Sequence, residues 1–202
     1  LNTLLLIALR AAHQRGKITN AKLAETLSNL RALPGLFNAT LDRDPSIADA
    51  ATQIAEARDV LFLGRGLMYP LALEGALKLK EISYIHAEAY ASGELKHGPI
   101  ALIDKNVPVV VMAPRDALFD KTVSNMQEVM ARKGKVVLVS DSAGIAEAGD
   151  GTWSTLTMPT CPDLLAPILY AVPAQLLAYQ TAVAKGTDVD QPRNLAKSVT
   201  VE

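Results

Sequence analysis

Three charged residues recur on one side of a predicted helix. Glu74, Lys78 and Glu81 occupy positions i, i+4 and i+7 of the helix predicted for residues 69–84, which places them within an arc of about 60°. Apolar residues border this arc, so we expect the stripe to be partly buried or to line a cleft. A buried charge needs a partner or a ligand. The alternative is a set of exposed i,i+3 and i,i+4 ion pairs.

The three histidines fall in different settings. His97 is predicted to follow a short strand, in a loop where Ser92 caps a helical turn and Gly98 ends it. A loop histidine can move protons near neutral pH. His86, inside the short strand, is predicted to be a core histidine with satisfied hydrogen bonds, and His13 to be a surface residue.

Other candidate motifs are weak. The sequence Gly64-Arg65-Gly66 has the position of a phosphate-binding loop between a strand and a helix, but it lacks the remaining residues of the stronger motifs. The alternative is a tight strand-to-helix turn. Cys161, the only cysteine, is interpreted as a small apolar residue. No metal-ligand spacing is present, so we predict neither a metal nor a cofactor.

Composition limits the class of protein. The chain has 202 residues, 50% of them hydrophobic, and a net charge of -1, which favours one α/β domain with a helical extension. It has no basic run for nucleic acid, and the apolar run 4–9 is too short for a signal peptide or a membrane span. A single cysteine fits a reducing compartment, so we predict a cytoplasmic protein. Because Leu1 lies in a helical pattern without a cap, we expect a piece of a longer protein.

The order of predicted elements indicates a parallel sheet. Residues 1–44 are predicted to be helical, with an interruption at Pro34-Gly35. Helices are then predicted to alternate with strands; the strands are 60–63, 85–90, 107–112, 136–139 and 153–158, and the helices 46–58, 69–84, 118–132 and 163–185. Pro167 and Pro173 should kink or break the last helix. This alternation predicts a three-layer α/β/α sandwich, which binds ligands at the carboxyl ends of its strands.

Three stretches of sequence resemble a known family. Gly64-Arg65-Gly66, residues 69–104 and the ending KGTDVDQPRNLAKSVTVE resemble the C-terminal part of the glutamine:fructose-6-phosphate aminotransferases. Residues 94–99 also look like the signature of sugar isomerase (SIS) domains. The resemblance implies a mainly parallel, flavodoxin-like SIS fold for residues 45–186. It implies that residues 1–44 are the end of a preceding SIS half and the connector from that half to this one. It also implies that the irregular tail 187–202 contributes to a sugar site.

The resemblance also implies roles for individual residues. Glu81 matches the base that moves a proton between carbons 1 and 2 of the sugar, and Lys78 matches an active-site lysine beside it. His97 matches a histidine that opens the sugar ring in the site of the neighbouring subunit, which implies a homodimer. Ala196 matches a backbone contact to the sugar, and Lys197 a lysine associated with ring opening or a transient Schiff base.

In this family, an N-terminal glutaminase domain releases ammonia, and the phosphate-binding loop belongs to the first SIS half. The complete enzyme makes glucosamine 6-phosphate and glutamate from fructose 6-phosphate and glutamine, the first step of the hexosamine pathway to UDP-N-acetylglucosamine. We therefore expect this chain alone to be inactive and to bind fructose 6-phosphate weakly. The alternatives are a non-catalytic phosphosugar-binding SIS regulatory module and an SIS isomerase for another phosphosugar.

Overall fold

A five-stranded parallel sheet forms the centre of the molecule. The structure, a computed structural model, describes residues 1–194. The strands are β1 (Asp59–Gly64), β2 (His86–Ala91), β3 (Pro108–Met112), β4 (Lys135–Asp141) and β5 (Ser154–Met158). Their order is β2-β1-β3-β4-β5, and every neighbouring pair is parallel. This is the strand order of flavodoxin-like folds, as predicted.

The described part of the chain has seven α-helices. They are α1 (Asn2–Gln14), α2 (Asn20–Leu41), α3 (Asp44–Ala55), α4 (Tyr69–Ser83), α5 (Phe119–Met130), α6 (Ser142–Ala148) and α7 (Ala166–Lys185). Three short 3₁₀ segments lie between them, at Gly66–Met68, Ser92–His97 and Pro99–Leu102. Among residues 1–194, no helix combines the length and the apolar character needed to cross a membrane.

Both faces of the sheet are covered, which confirms the three layers. Successive strand residues point to opposite faces, so Phe62 and Val110 pack under α3, α4 and α7. Leu61, Leu63 and Val111 pack under α5, α6 and the last two 3₁₀ segments. Burial on both faces explains why the inner strands read as continuous apolar runs instead of alternating ones.

Neither of the breaks expected at proline is present. Helix α2 is not interrupted at Pro34-Gly35 but runs through Pro34 to Leu41, where Leu33 is buried and α2 packs against α7. Tertiary packing here outweighs the lost backbone hydrogen bond. Helix α7 continues through Pro173, while Pro167 lies in its first turn, where no amide donor is needed. The short helix α6 was not predicted at all.

Candidate active site

Helix α4 places its charged stripe, Glu74, Lys78 and Glu81, toward the end of the sheet where the strands begin. This end is called the amino edge, and the end where the strands finish is called the carboxyl edge. The helix follows the carboxyl end of β1 after the 3₁₀ segment Gly66–Met68, and a side chain at Gly64 would collide with the carbonyl oxygen of Met68. The glycines of Gly64-Arg65-Gly66 are therefore accounted for by a tight turn. From this turn α4 runs back across the sheet and ends at Ser83, just before β2 begins at the opposite edge.

Lys78 and Glu81 form a half-buried ion pair on α4. The Lys78 Nζ lies 2.9 Å from the Glu81 Oε2, and the two side chains are 37% and 26% exposed. The predicted partial burial of the stripe is confirmed, with Glu74 also half-buried. The hydrogen bond to Glu81 raises the pKa of Lys78; burial opposes this, and the charges of Glu81 and Glu74 add to it. Lys78 is therefore a cation at neutral pH.

A groove opens beside this pair at the C-terminal end of α4. Its volume is about 430 Å³, and its walls are Leu77, Lys80, Glu81, Tyr84, Arg193 and Asn194. Tyr84 adopts the left-handed conformation with φ of 60°, which is uncommon for a residue other than glycine. Its phenol contacts Arg193 in two ways, because the hydroxyl accepts the Arg193 backbone N–H at 2.9 Å and the guanidinium lies 4.2 Å from the ring centroid.

The polar segment after α7 is fastened to the same end of α4. The Thr187 hydroxyl donates to the carbonyl oxygen of Ile82 at 2.7 Å, and from there the chain reaches Arg193 and Asn194 at the groove. Ala196 and Lys197, which the sequence predicts to contact the sugar, lie outside the described residues. Sequence reasoning missed the Tyr84–Arg193 contact, for which the only signal was an aromatic residue at a helix end.

His97 lies at the carboxyl edge of the sheet, at the opposite end of the strands from Lys78 and Glu81. It ends the 3₁₀ segment that follows β2, and its Nδ1 is 2.7 Å from the Glu94 Oε2. His97 is 72% and Glu94 65% exposed. The expected cap by Ser92 is wrong, because Ala91 is the N-terminal cap and the buried Ser92 hydroxyl has no hydrogen-bond partner among residues 1–194.

The two predicted catalytic groups are therefore far apart within one chain. Glu81 lies near the start of β2 and His97 beyond its end, and this strand has six residues, or about 20 Å. Parallel sheets hold ligands at the carboxyl ends of their strands, and His97 fits that expectation. Lys78 and Glu81 do not, because they lie at the amino edge.

The expectations for the other two histidines had different outcomes. His86 is not in the core: it is 66% exposed, because it opens an edge strand at the rim of the sheet. It does have a partner, the Asp59 Oδ1 at 3.0 Å from its Nδ1. His13 is exposed as predicted, with its Nε2 2.6 Å from the Asn20 Oδ1.

The chain belongs to the SIS domain family, whose model matches residues 53–185. It is 61% identical over 196 residues to the glutamine–fructose-6-phosphate aminotransferase (isomerizing) of Zymomonas mobilis, covering 97% of this chain and 32% of that protein. It is 55% identical to the protein of the same name from Bartonella quintana, with 100% and 33% covered. The chain thus spans about a third of the length of these curated relatives.

Solved structures agree with this family. The C-terminal domain of glucosamine-fructose-6-phosphate aminotransferase from Francisella tularensis superposes with a TM-score of 0.89 and 46% identity, covering 93% of this chain and 53% of that one. A glucosamine-6-phosphate deaminase from Thermotoga maritima has a TM-score of 0.68 and 26% identity, with 97% and 56% covered. The SIS fold and the resemblance to the aminotransferases are therefore confirmed.

Proposed function

We propose that this chain supplies the second SIS half of the isomerase region of a glutamine:fructose-6-phosphate aminotransferase. One observation carries the proposal: the Lys78–Glu81 pair is held at 2.9 Å, half-buried, beside a groove. Glu81 lines the groove and offers a proton acceptor to a bound ligand, and the Lys78 ammonium holds that carboxylate by a hydrogen bond. The sequence similarity to the aminotransferases favours fructose 6-phosphate as that ligand.

In the proposed reaction, Glu81 is the base. Its carboxylate takes a proton from carbon 1 of the open-chain ketose and returns it to carbon 2, while the hydroxyl proton of oxygen 1 passes to oxygen 2, which converts the ketose into the aldose. Negative charge develops on the sugar oxygens in between. Because the pKa of Lys78 is raised, its ammonium stays charged and can stabilise both the carboxylate and the enediolate.

His97 is proposed to open the sugar ring in the site of a neighbouring subunit. The separation of about 20 Å along β2 is too long for His97 to reach a sugar bound at Glu81 of the same chain. A homodimer in which the carboxyl edge of one subunit meets the amino edge of the other would bring the two groups together. The exposure of both His97 and Glu94 leaves them accessible for such a contact.

The C-terminal tail is proposed to complete the site. Lys197 is three residues beyond Asn194, which lines the groove with Glu81, and three residues span at most about 10 Å. Lys197 is therefore within reach of the groove. We propose that Lys197 and the Ala196 backbone contact the sugar, and that the lysine assists ring opening or forms a transient Schiff base.

The proposal also assigns three parts of the chain to different roles. Residues 1–44 would connect to a first SIS half, residues 45–186 form the second SIS domain, and residues 187–202 form the tail; α3 begins at the first boundary and α7 ends at the second. A glutaminase domain and the first SIS half would supply the ammonia and the phosphate-binding loop. The whole would be a cytoplasmic enzyme making glucosamine 6-phosphate for the hexosamine pathway.

Replacing the proposed base tests this assignment. In a complete aminotransferase carrying this chain, Glu81→Gln should lower fructose 6-phosphate isomerisation by at least about 10³-fold, because the amide cannot accept the proton. Glutamine hydrolysis should persist, since its groups lie in another domain. Isomerisation at near wild-type rate in Glu81→Gln would refute the assignment.

A further inference from the structure

Arg65, the charged residue of the turn after β1, lies at the carboxyl edge and has no role in the function proposed above. The residue is half-buried, and its Nη1 donates to the Oδ1 of Asn125 on α5 at 3.2 Å. Asn125 is only 9% exposed, so the packing of α5 fixes this acceptor. The Arg65 guanidinium is therefore held against α5.

The held guanidinium contacts the 3₁₀ segment Ser92–His97. A side-chain carbon at Gly93 would lie 3.0 Å from the Arg65 Nη1 and 3.4 Å from its Cζ. These distances are shorter than the optimal van der Waals separation, so a larger residue at this position would press against the guanidinium. Close approach of Arg65 thus explains the glycine in this segment.

Helix α5 holds the same segment at a second point. The Lys96 Nζ lies 3.0 Å from the Glu128 Oε1, and the Glu128 side chain is only 20% exposed. Asn125 and Glu128 are three residues apart, which places them on the same side of α5. One side of this helix therefore fastens Lys96 directly and Gly93 through Arg65.

The 3₁₀ segment needs these contacts because its own structure holds it weakly. It has six residues and no side-chain cap, and 3₁₀ hydrogen bonds have poorer geometry than those of an α-helix. Leu95, its only large apolar residue, is buried in the core, while His97 is exposed. A single apolar anchor does not fix the orientation of the segment, and the contacts with Arg65 and Glu128 supply what is missing.

We propose that Arg65, held by Asn125, is a positioning residue for His97, with the Lys96–Glu128 pair as a second support. Arg65 contacts no substrate in this role; it fixes the backbone from which the imidazole of His97 projects. The inference rests on the ring-opening role proposed for His97. Misplacing a catalytic group by about 1 Å can cost about 10²-fold in rate, so losing the arginine should have a measurable effect.

A substrate that cannot form a ring separates ring opening from the later proton transfer. Fructose 6-phosphate closes its furanose ring through oxygen 5, and its oxygen 6 carries the phosphate, so 5-deoxyfructose 6-phosphate is always open. In a complete aminotransferase carrying this chain, His97→Ala should lower kcat for fructose 6-phosphate at least about 10²-fold but leave kcat for the 5-deoxy ketose within about threefold. Glu81→Gln should lower both. Formation of the aldose measures each rate.

Arg65→Met should show the pattern of His97→Ala to a smaller extent. Methionine cannot donate to Asn125, so we expect kcat to fall about tenfold for fructose 6-phosphate and less than about twofold for the 5-deoxy ketose. Arg65→Lys keeps the charge but not the planar fork of donors, and its kcat should lie between those of Arg65→Met and the wild type. Arg132→Met, at an exposed arginine just after α5, should leave both rates unchanged.

The two substrates also distinguish the results that would overturn the inference. If Arg65→Met lowered both rates by the same factor, or neither, the arginine would not act through His97. If His97→Ala lowered both rates equally, the ring-opening role itself would be refuted, and the inference with it.

A second variant covers the case in which Arg65→Met does not fold. Asn125→Ala removes only the acceptor of the Arg65 hydrogen bond. It should lower kcat for fructose 6-phosphate about threefold, as expected for one hydrogen bond, and leave the 5-deoxy ketose unaffected. Equal rates for both substrates in Asn125→Ala and the wild type would contradict the proposed positioning.

Discussion

The amino edge of the sheet carries a half-buried ion pair, Lys78 and Glu81, whereas the carboxyl edge carries an exposed hydrogen-bonded pair, His97 and Glu94. Lys78 and Glu81 are 37% and 26% exposed, and His97 and Glu94 are 72% and 65% exposed. A half-buried pair is oriented before a ligand arrives and is less screened than an exposed pair. The amino-edge pair is thus oriented within one chain, while the histidine of the carboxyl edge is exposed to water.

The largest effect should come from breaking the half-buried pair. Lys78→Met keeps the apolar stem but removes the cation, so Glu81 and the proposed enediolate lose their counter-charge. We expect kcat for isomerisation in the complete enzyme to fall about 10²-fold. The free energy of unfolding should change by less than about 1 kcal/mol, because the pair is partly exposed.

A matched lysine serves as the control for this prediction. Lys121 is an exposed residue of α5, and Lys121→Met should leave isomerisation unchanged. If Lys78→Met retained activity within about twofold of the wild type, the pair would be an ordinary surface ion pair, and the contrast between the two edges would lose its functional meaning.

A smaller effect should follow from releasing the tail at the amino edge. Tyr84→Ala removes both the hydrogen bond and the stacking that hold Arg193. Together these contacts are worth about 1–2 kcal/mol. Trypsin, which cleaves after Arg193, should therefore remove residues 194–202 about tenfold faster from the variant. Mass spectrometry of the native protein during digestion measures this rate.

Two variants sharpen that result. Tyr84→Phe keeps the ring and should accelerate cleavage less than Tyr84→Ala does, while Tyr179→Ala on α7 should have no effect. Equal cleavage of the wild type and Tyr84→Ala would indicate that Tyr84 does not hold the tail.

The smallest effect is expected at His86, the exposed histidine of the amino edge. Its Nδ1 lies 3.0 Å from the Asp59 Oδ1 at the surface, and such an exposed contact contributes about 0–1 kcal/mol. His86→Ala should leave isomerisation unchanged in the complete enzyme and alter the midpoint of thermal unfolding by only a few degrees. A loss of activity comparable to that of His97→Ala would show that the sequence comparison chose the wrong histidine.

Periodicity predicted the amino-edge stripe well. The angular positions of Glu74, Lys78 and Glu81 depend only on helix geometry, and their apolar neighbours in the sequence were enough to predict partial burial. Strand positions were predictable for a similar reason, since short apolar runs between helices are typical of a buried parallel sheet.

Other features depend on tertiary contacts and were not predictable. The alternating pattern assigned His86 to the core, but β2 is an edge strand and His86 lies at its end. Pro34 is accommodated because α2 packs against α7, which no local pattern reveals. The separation of Glu81 from His97 depends on the direction of α4 and the pairing of β2 with β1.

Mixing two inactive variants tests the central claim, that Glu81 and His97 of different subunits form one site. Glu81→Gln and His97→Ala, each prepared in the complete enzyme, should be inactive alone. After unfolding and refolding together, half of the dimers combine one chain of each kind. In these dimers one site has both an intact Glu81 and an intact His97, so about a quarter of the wild-type isomerisation should return.

The contradicting result is equally clear. If both groups acted within one chain, every site in the mixed dimers would carry one of the two substitutions, and no activity would return. Mass spectrometry of the native mixture should confirm that mixed dimers have formed. Mixed dimers without isomerisation would refute a site shared between subunits.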